Sequence, residues 1–135
     1  MDSKSTVEII TELDIVAARR LGRDKAREIG FNKVDQARIT TAISELAKNI
    51  FLYAHVGKIV IEKIEVNEKT GIGITAIDRG PGIQEVRKVL EDRYRTPDSV
   101  GAGLPAVKRL VDSINIQSKI GLGTKIKVVK WLNQG

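Results

Sequence analysis

The sequence predicts an α+β fold, with a mostly antiparallel sheet and helices on one face of it. Two long segments place apolar residues three and four positions apart, as amphipathic helices do. Five short segments are instead rich in β-branched residues and end near turns, which is typical of strands. The length of 135 residues suits one domain, so residues 1–135 are expected to form a single unit.

The first part of the chain is expected to fold as a strand followed by two helices. Residues 6–10 predict the strand and residues 14–29 predict the first helix. Asp14 is expected to be the N-cap of this helix, and Gly30 its left-handed stop. Residues 34–54 predict the second helix. Its apolar stripe consists of Ile39, Ile43, Leu46, Ala47, Ile50 and Ala54.

A β-hairpin is expected next, because two segments rich in isoleucine and valine flank a polar, glycine-containing turn. Its strands are expected at residues 58–66 and 72–77, and its turn at residues 67–71. A short helix at residues 84–91 follows a cluster of glycine and proline. The polar residues 92–100 have no clear period and are expected to form a loop.

The last part of the chain predicts a helix and a second hairpin. The helix is expected to begin near Leu104, with Pro105 in its first turn, where a missing N–H costs nothing. Strands are expected at residues 113–118 and 124–131, joined by a turn at residues 121–123. They complete the predicted sheet.

The composition excludes several classes of protein. There is no cysteine and only one histidine, which excludes a disulfide framework and thiolate zinc sites and argues against a histidine-rich metal site. Apolar runs are far shorter than the roughly 20 residues of a membrane span, and no signal peptide is apparent. With 41% apolar residues and a net charge of +6, a cytoplasmic globular domain is expected.

Six of the 12 glycines form the Gly-x-Gly pairs at 80 and 82, at 101 and 103, and at 121 and 123, and such pairs let backbone N–H groups approach a ligand closely. The pair at 80 and 82 follows Asp78, whose carboxylate can accept a hydrogen bond from a ligand over the turn. The alternative is a plain strand-to-helix turn capped by Asp78. The pair at 121 and 123 lies in a hairpin, where a simple turn is the favoured interpretation.

The pair at 101 and 103 runs directly into the helix that begins at Leu104. Exposed N–H groups and the positive end of the helix dipole favour a bound phosphate there, and a flexible loop is the alternative. No Gly-Lys-Ser/Thr follows, which excludes a P-loop. The glycines also come too late in the chain for a Rossmann fingerprint.

Glu45 and Asn49 are four residues apart in the second predicted helix and so share one face. At 100° per residue this face lies opposite the apolar stripe, and Arg38 lies on it too. A carboxylate can orient a nucleophile there, and the neighbouring amide oxygen can bind a hard cation such as Mg²⁺. The alternative is a solvated helix face.

Taken together and in this order, the motifs resemble the nucleotide-binding domain of the GHKL superfamily, the Bergerat fold of gyrase, Hsp90, histidine kinases and MutL. The resemblance covers essentially the whole chain. Its blocks are Glu45-Leu46-Ala47-Lys48-Asn49, Asp78-Arg79-Gly80-Pro81-Gly82, Gly101-Ala102-Gly103-Leu104 and Gly121-Leu122-Gly123-Thr124. Within the superfamily the chain resembles the stand-alone serine/threonine kinases of the anti-sigma-factor type, and most narrowly the stressosome switch kinase. That closer likeness rests on residues 14–19, 34–47 and 101–110, and on Lys130-Trp131-Leu132.

The resemblance implies a role for each matching residue. Asn49 would hold a Mg²⁺ ion that bridges the phosphates of ATP, and Glu45 would be the general base for the attacking hydroxyl. Asp78 would accept from the adenine amino group, and Gly82 would give the base room. The implied ATP-binding residues are Asn49, Asp78, Gly80, Gly82, Gly101, Ala102, Gly103, Leu104 and Thr124.

Residues 92–100 would form a lid over the nucleotide by the same likeness. From their position in it, Arg93 and Arg95 are candidates to neutralise charge on the γ-phosphate. His55 follows the Asn49 helix turn and is expected at a helix end on the surface, not as a phosphoacceptor. A domain of this size is expected to take a separate protein as its substrate.

The implied function is an ATP- and Mg²⁺-dependent protein serine/threonine kinase. It would phosphorylate STAS-domain proteins of a stressosome and, when released, bind and activate a PP2C-type phosphatase in stress signalling. One alternative is a nucleotide-dependent binding module, like an anti-sigma factor, with little catalysis. Another is an ATPase without protein phosphorylation.

The end of the chain is basic and admits several interpretations. The favoured interpretation is that the lysines lie on a solvated strand face and also discourage edge pairing. The next is that they dock to an acidic partner protein. Nucleic acid is not an expected partner, because aromatic residues that could stack on bases are scarce, and no membrane partner is expected. The lysines concerned are Lys119, Lys125, Lys127 and Lys130.

Overall fold

The computed structural model describes residues 4–82 and 103–132. The strands are β1 (Lys4–Ile9), β2 (Gly57–Val66), β3 (Lys69–Asp78), β4 (Ser113–Lys119) and β5 (Gly123–Trp131). The α-helices in these ranges are α1 (Glu12–Ile29), α2 (Lys33–Asn49) and α3 (Leu104–Leu110), and a π-helical segment, Ile50–Ala54, continues α2. The helix expected at residues 84–91 and the loop expected at residues 92–100 lie outside the described residues.

The five strands form one antiparallel sheet in the order β1-β2-β3-β5-β4. Alternate residues of β2 and β5 are buried, because one face of the sheet packs against the helices. The predicted α+β fold, with helices on one face, is confirmed. The core on that face includes Ile59, Ile61, Ile72, Ile74, Ile126 and Val128, together with Ile39, Ile43 and Leu46 of α2.

Helix α1 begins two residues earlier than the sequence predicts. Thr11 is its N-cap, and Asp14 lies at the third helical position. The Asp14 carboxylate reaches back and accepts the backbone N–H groups of Ile10 and Thr11 at 2.9 and 2.8 Å. The prediction of Asp14 as N-cap is therefore wrong, because this carboxylate is the reciprocal half of a capping box. The predicted left-handed stop at Gly30 is confirmed by a φ of 116°.

The second helix changes type near its end. Its apolar stripe is buried as predicted from Ile39 to Ile50, but the α-helix ends at Asn49. The next residues are π-helical, and the N–H of His55 donates to the carbonyl of Ile50 at 2.8 Å. His55 has a φ of 70° and is exposed, which confirms its predicted place at a helix end on the surface.

The turn between β2 and β3 is shorter than predicted. Val66 pairs with Lys69, so only Asn67 and Glu68 form the turn, and both have positive φ angles of 51° and 68°. Two consecutive left-handed residues match the right-handed twist of the flanking strands. The expected five-residue turn at 67–71 is corrected to two residues.

The basic C-terminal strand is not an edge strand, because β5 lies between β3 and β4. Lys125 and Lys127 are exposed on the face of the sheet that the helices leave open, so a role in blocking edge pairing is wrong for them. Lys130 lies on the other face of the sheet from these two lysines. Its Nζ lies 3.7 Å from Oδ1 of the buried Asp35, on the helical side.

Candidate functional site

The described motifs converge at one end of the sheet. Asp78 is the last residue of β3 and pairs with Thr124 on one side and Gly57 on the other. Gly80 lies against Ala54, at the end of the π-helical segment, so closely that an added Cβ would clash with it. The β3–β5 end of the sheet and the end of α2 thus form one continuous region.

The Asp78 carboxylate is a half-buried acceptor. Its Oδ1 accepts the N–H of Gly80 at 2.9 Å. Burial raises the pKa of Asp78 above its usual 3.8, although backbone N–H groups of Gly80 and Thr124 act in the opposite direction. A carboxylate that has lost water in this way gains from a ligand that brings its own hydrogen-bond donor.

Two glycine loops, at residues 80–82 and 121–123, contact each other beside Asp78. The N–H of Gly121 donates to the carbonyl of Pro81 at 2.9 Å. Gly82 and Gly123 both have positive φ angles, and a Cβ at either would collide with backbone, at Lys119 and Asp78 respectively. Close backbone packing between the loops therefore requires these glycines.

A pair of hydroxyl groups lies next to the carboxylate. Thr124 is buried, and its Oγ1 lies 2.8 Å from the Oγ of Ser118 on β4. Sequence reasoning missed Ser118, because only the pairing of β4 with β5 sets it opposite Thr124. Asp78, Ser118 and Thr124 all line an open groove of about 640 Å³.

Glu45 and Asn49 do not lie on a fully solvated face. The Glu45 side chain is 29% exposed, and its carboxylate lies over Gly103, at the N-terminus of α3, where a Cβ would clash with it. The face opposite the apolar stripe is therefore partly covered, because α3 packs on α2 there. Arg38 lies two turns away and pairs with Asp35 at 3.0 Å, so the structure does not bring it to the site.

Asn49 has a buried amide nitrogen without a hydrogen-bond partner among the described residues. A buried nitrogen without a partner lowers the stability of the folded state, unless a ligand accepts its hydrogen bond or the amide group rotates so that its oxygen faces the site. Residues 4–82 and 103–132 contain no group of three or more histidine, cysteine or acidic side chains that could bind a metal by itself. Mg²⁺ usually keeps several waters and is bound by few protein oxygens together with substrate phosphates, and a single amide oxygen from Asn49 fits a site of that kind.

The start of α3 agrees with the prediction. It begins at Leu104, with Pro105 in its first turn, and the carbonyl of Gly103 accepts the N–H of Val107 at 3.2 Å. The remaining predicted contacts lie outside the described residues. These are the lid at 92–100 with Arg93 and Arg95, and the phosphate contacts Gly101 and Ala102.

Known proteins resemble most of this chain in sequence. It is 57% identical over 132 residues to the serine/threonine-protein kinase RsbT of Bacillus subtilis (strain 168), covering 98% of this chain and 99% of the relative. It is 29% identical over 104 residues to an anti-sigma F factor of Caldanaerobacter subterraneus subsp. tengcongensis, covering 73% of this chain and 71% of that protein.

Solved structures agree in fold. The catalytic domain of histidine kinase ThkA superposes with a TM-score of 0.56 at 18% identity, covering 94% of this chain and 97% of that one. The mycobacterial sensor histidine kinase MprB gives a TM-score of 0.54 at 15% identity, with 94% of this chain and 96% of that one covered.

In the part of the chain that the structure describes, no helix is long and apolar enough to cross a membrane.

A family model places the chain among its relatives. The model for histidine kinase-, DNA gyrase B- and HSP90-like ATPases matches residues 34–134. The predicted superfamily and the predicted enzyme class, a protein serine/threonine kinase, are confirmed by this match and by the 57% identity to a kinase. The chain belongs to the histidine kinase-, DNA gyrase B- and HSP90-like ATPase family, in the branch that contains the serine/threonine-protein kinase RsbT.

Proposed function

We propose that this protein transfers the γ-phosphoryl group of ATP, with Mg²⁺, to a serine or threonine of a separate protein. The observation that carries the proposal is the placement of Glu45. Its half-buried carboxylate lies against Gly103, where α3 begins, and one helical turn from Asn49, whose buried amide nitrogen has no hydrogen-bond partner among the described residues. A base beside a cation ligand and a helix N-terminus is what phosphoryl transfer needs from a protein.

The adenine end of the site would be formed by β3, β5 and the loop after β3. Asp78 would accept a hydrogen bond from the adenine amino group, and its raised pKa reflects the lost hydration that such a donor would replace. Thr124 would present its hydroxyl beside it. Gly80 and Gly82 have no side chains and would let the backbone of this loop approach the adenine closely.

The phosphate end would be formed by α2 and the start of α3. Asn49 would hold Mg²⁺ through its amide oxygen, and the bound ion would neutralise charge on the phosphates. Gly101, Ala102, Gly103 and the first N–H groups from Leu104 would cradle the phosphates. Arg93 and Arg95 are proposed to contact the γ-phosphate.

The chemical step follows from these positions. The substrate hydroxyl oxygen attacks the γ-phosphorus, the bond to the β-phosphate oxygen breaks, and ADP leaves. Glu45 accepts the proton of the attacking hydroxyl as the new P–O bond forms. Both the carboxylate and the substrate must be held in place, because catalysis of this step depends mainly on positioning.

We further propose STAS-domain proteins of a stressosome as substrates, and a PP2C-type phosphatase as a partner that the released kinase activates. The extensive identity to RsbT and the likeness to anti-sigma F factors support a role in partner switching. The exposed Lys125 and Lys127 are available to an acidic partner. We also propose that residues 1–135 form a single domain and that it acts in the cytoplasm.

The test is a transfer assay with γ-labelled ATP, Mg²⁺ and a STAS-domain protein from the same genome. Label on a serine or threonine of that protein, lost with Asn49→Ala, is the expected result. Asn115→Ala, on the exposed surface of β4, is the matched control and is expected to retain transfer. The absence of label from folded, ATP-binding protein would contradict the kinase proposal.

A binding module with little catalysis is the second candidate, because several of the relatives are anti-sigma factors. In that case ATP would promote a complex with the STAS-domain protein without labelling it. Glu45→Gln separates the two functions. A kinase loses transfer with this substitution, whereas a binding module keeps its nucleotide-dependent complex unchanged.

A further inference from the structure

The carboxylate of Glu45 has a different neighbour at each of its two oxygens. Oε2 lies against Gly103, where α3 begins, and Oε1 lies 3.8 Å from the Nζ of Lys48. The terminal torsion of a glutamate side chain is broad, so the neighbours of the carboxylate decide where its oxygens point. One contact at each oxygen therefore favours a single orientation of the group.

Lys48 follows Glu45 by three residues in α2, and residues at that spacing are neighbours on a helix surface. At 100° per residue, Lys48 is about 60° from Glu45 on one side, and Asn49 is about 40° from Glu45 on the other. Glu45 thus lies between a cation and the proposed Mg²⁺ ligand. The Lys48 side chain is 52% exposed, so the ion pair lies at the solvent edge of the site, which a separate protein can reach.

An ion pair this exposed contributes little to folding stability, because solvent screens the two charges. Its geometry matters more for catalysis. A general base must lie within hydrogen-bond distance of the hydroxyl whose proton it accepts. A displacement of about 1 Å at a catalytic group is enough to slow a reaction strongly. Lys48 is therefore placed to affect phosphotransfer far more than it affects the fold.

We propose that Lys48 is a positioning residue for phosphotransfer, which holds the Glu45 carboxylate through Oε1 while Gly103 confines Oε2. The inference rests on the proposed kinase function and adds a residue to it. Lys48 acts only through Glu45 and takes no part in moving the proton. Without the ammonium group, the carboxylate turns away from the attacking hydroxyl for part of the time, so the chemical step slows while ATP and the protein substrate bind as before.

The test is a double-mutant cycle between Lys48 and Glu45, measured as single-turnover transfer from γ-labelled ATP to the STAS-domain protein. Lys48→Met removes the charge and is expected to slow transfer about tenfold, with the Kd of ATP and the KM of the protein substrate unchanged. In the Glu45→Gln background the same substitution is expected to have no further effect, because residues that act as a unit are not additive.

Two further variants control for charge and for the shape of the side chain. Lys48→Arg keeps a cation at this position and is expected to retain most of the transfer rate. Lys33→Met, on the exposed surface of the first turn of α2, removes the same charge away from the site and is expected to leave the rate unchanged.

The outcomes separate this inference from the proposed function. If Lys48→Met slows transfer by the same factor with and without Glu45→Gln, Lys48 acts independently of the carboxylate, and the inference alone is overturned. A raised KM for the protein substrate at an unchanged maximal rate would assign Lys48 to docking, and weakened binding of ATP but not of ADP would assign it to the γ-phosphate. Either result also overturns the inference alone. A folded wild-type chain that transfers no label overturns the proposed function and this inference with it.

Discussion

The carboxylate of Glu45 lies against the Cα of Gly103, so closely that any side chain at position 103 would collide with it. This contact joins the middle of α2 to the start of α3, two elements that are almost 60 residues apart in the chain. It also limits where the carboxylate can point. The position of the proposed base is thus set by a residue that has no side chain of its own.

Gly103→Ala is expected to reduce phosphotransfer about 10²-fold, because a displacement of about 1 Å at a catalytic group has effects of that size. Gly103 has a φ of −85°, which alanine adopts readily, so the backbone is not strained. Single-turnover transfer and ATP affinity should be measured together. Gly73→Ala is the matched control, because a Cβ there meets only ordinary contacts at 3.4 Å or more. Unchanged transfer in Gly103→Ala would contradict the role of the contact.

Glu45→Ala is expected to slow phosphotransfer by about 10²–10⁴-fold, because it removes the general base. ATP affinity should stay within a few-fold of the wild type, since Glu45 does not hold the nucleotide. Rapid-quench transfer and equilibrium nucleotide binding provide the two readouts, and Glu28→Gln on the exposed side of α1 is the control. A variant that loses affinity but keeps its turnover would reverse the assignment.

Asn49→Ala is expected to weaken Mg²⁺-dependent ATP binding at least about tenfold. Its effect on folding should be small or favourable, because the substitution removes a buried amide nitrogen that has no partner among the described residues. Calorimetric titrations with Mg²⁺ and with EDTA, combined with thermal unfolding, separate the two effects. Full affinity in the presence of Mg²⁺ would refute the assigned role.

Asp78→Asn is expected to raise the stability of the nucleotide-free protein at pH 7.5 while weakening ATP binding. Burial raises the pKa of Asp78 in the folded state above its unfolded value. The folded state then binds the proton more tightly, so the free energy of unfolding is larger at acid pH and falls as the pH rises through the raised pKa. Asparagine keeps the acceptor for the Gly80 N–H and avoids the buried charge.

The advantage of Asp78→Asn over the wild type should therefore shrink as the pH is lowered toward about 4. Melting temperatures measured between these pH values give the comparison, and Asp24→Asn, whose carboxylate is half-exposed, gives the control. An advantage that grows on acidification would contradict the sign of the shift.

Local patterns were sufficient to predict most of the fold. The apolar spacing of α2 and the β-branched residues of β2 and β5 depend only on residues close in sequence, and these elements were predicted correctly. Two of the errors were local as well. Asp14 and the two-residue turn at Asn67 and Glu68 were misassigned because capping and turn geometry depend on φ and ψ, which composition does not specify.

The sequence by itself determined the family, the order of the motifs and the residue types that the chemistry requires. Only the tertiary structure decided which of them meet. It brought Glu45 against Gly103, paired Ser118 with Thr124 and made β5 an internal strand. These relationships join residues distant in the chain, and periodicity carries no information about long-range pairing, because strand order and helix packing are chosen by burial of the whole core.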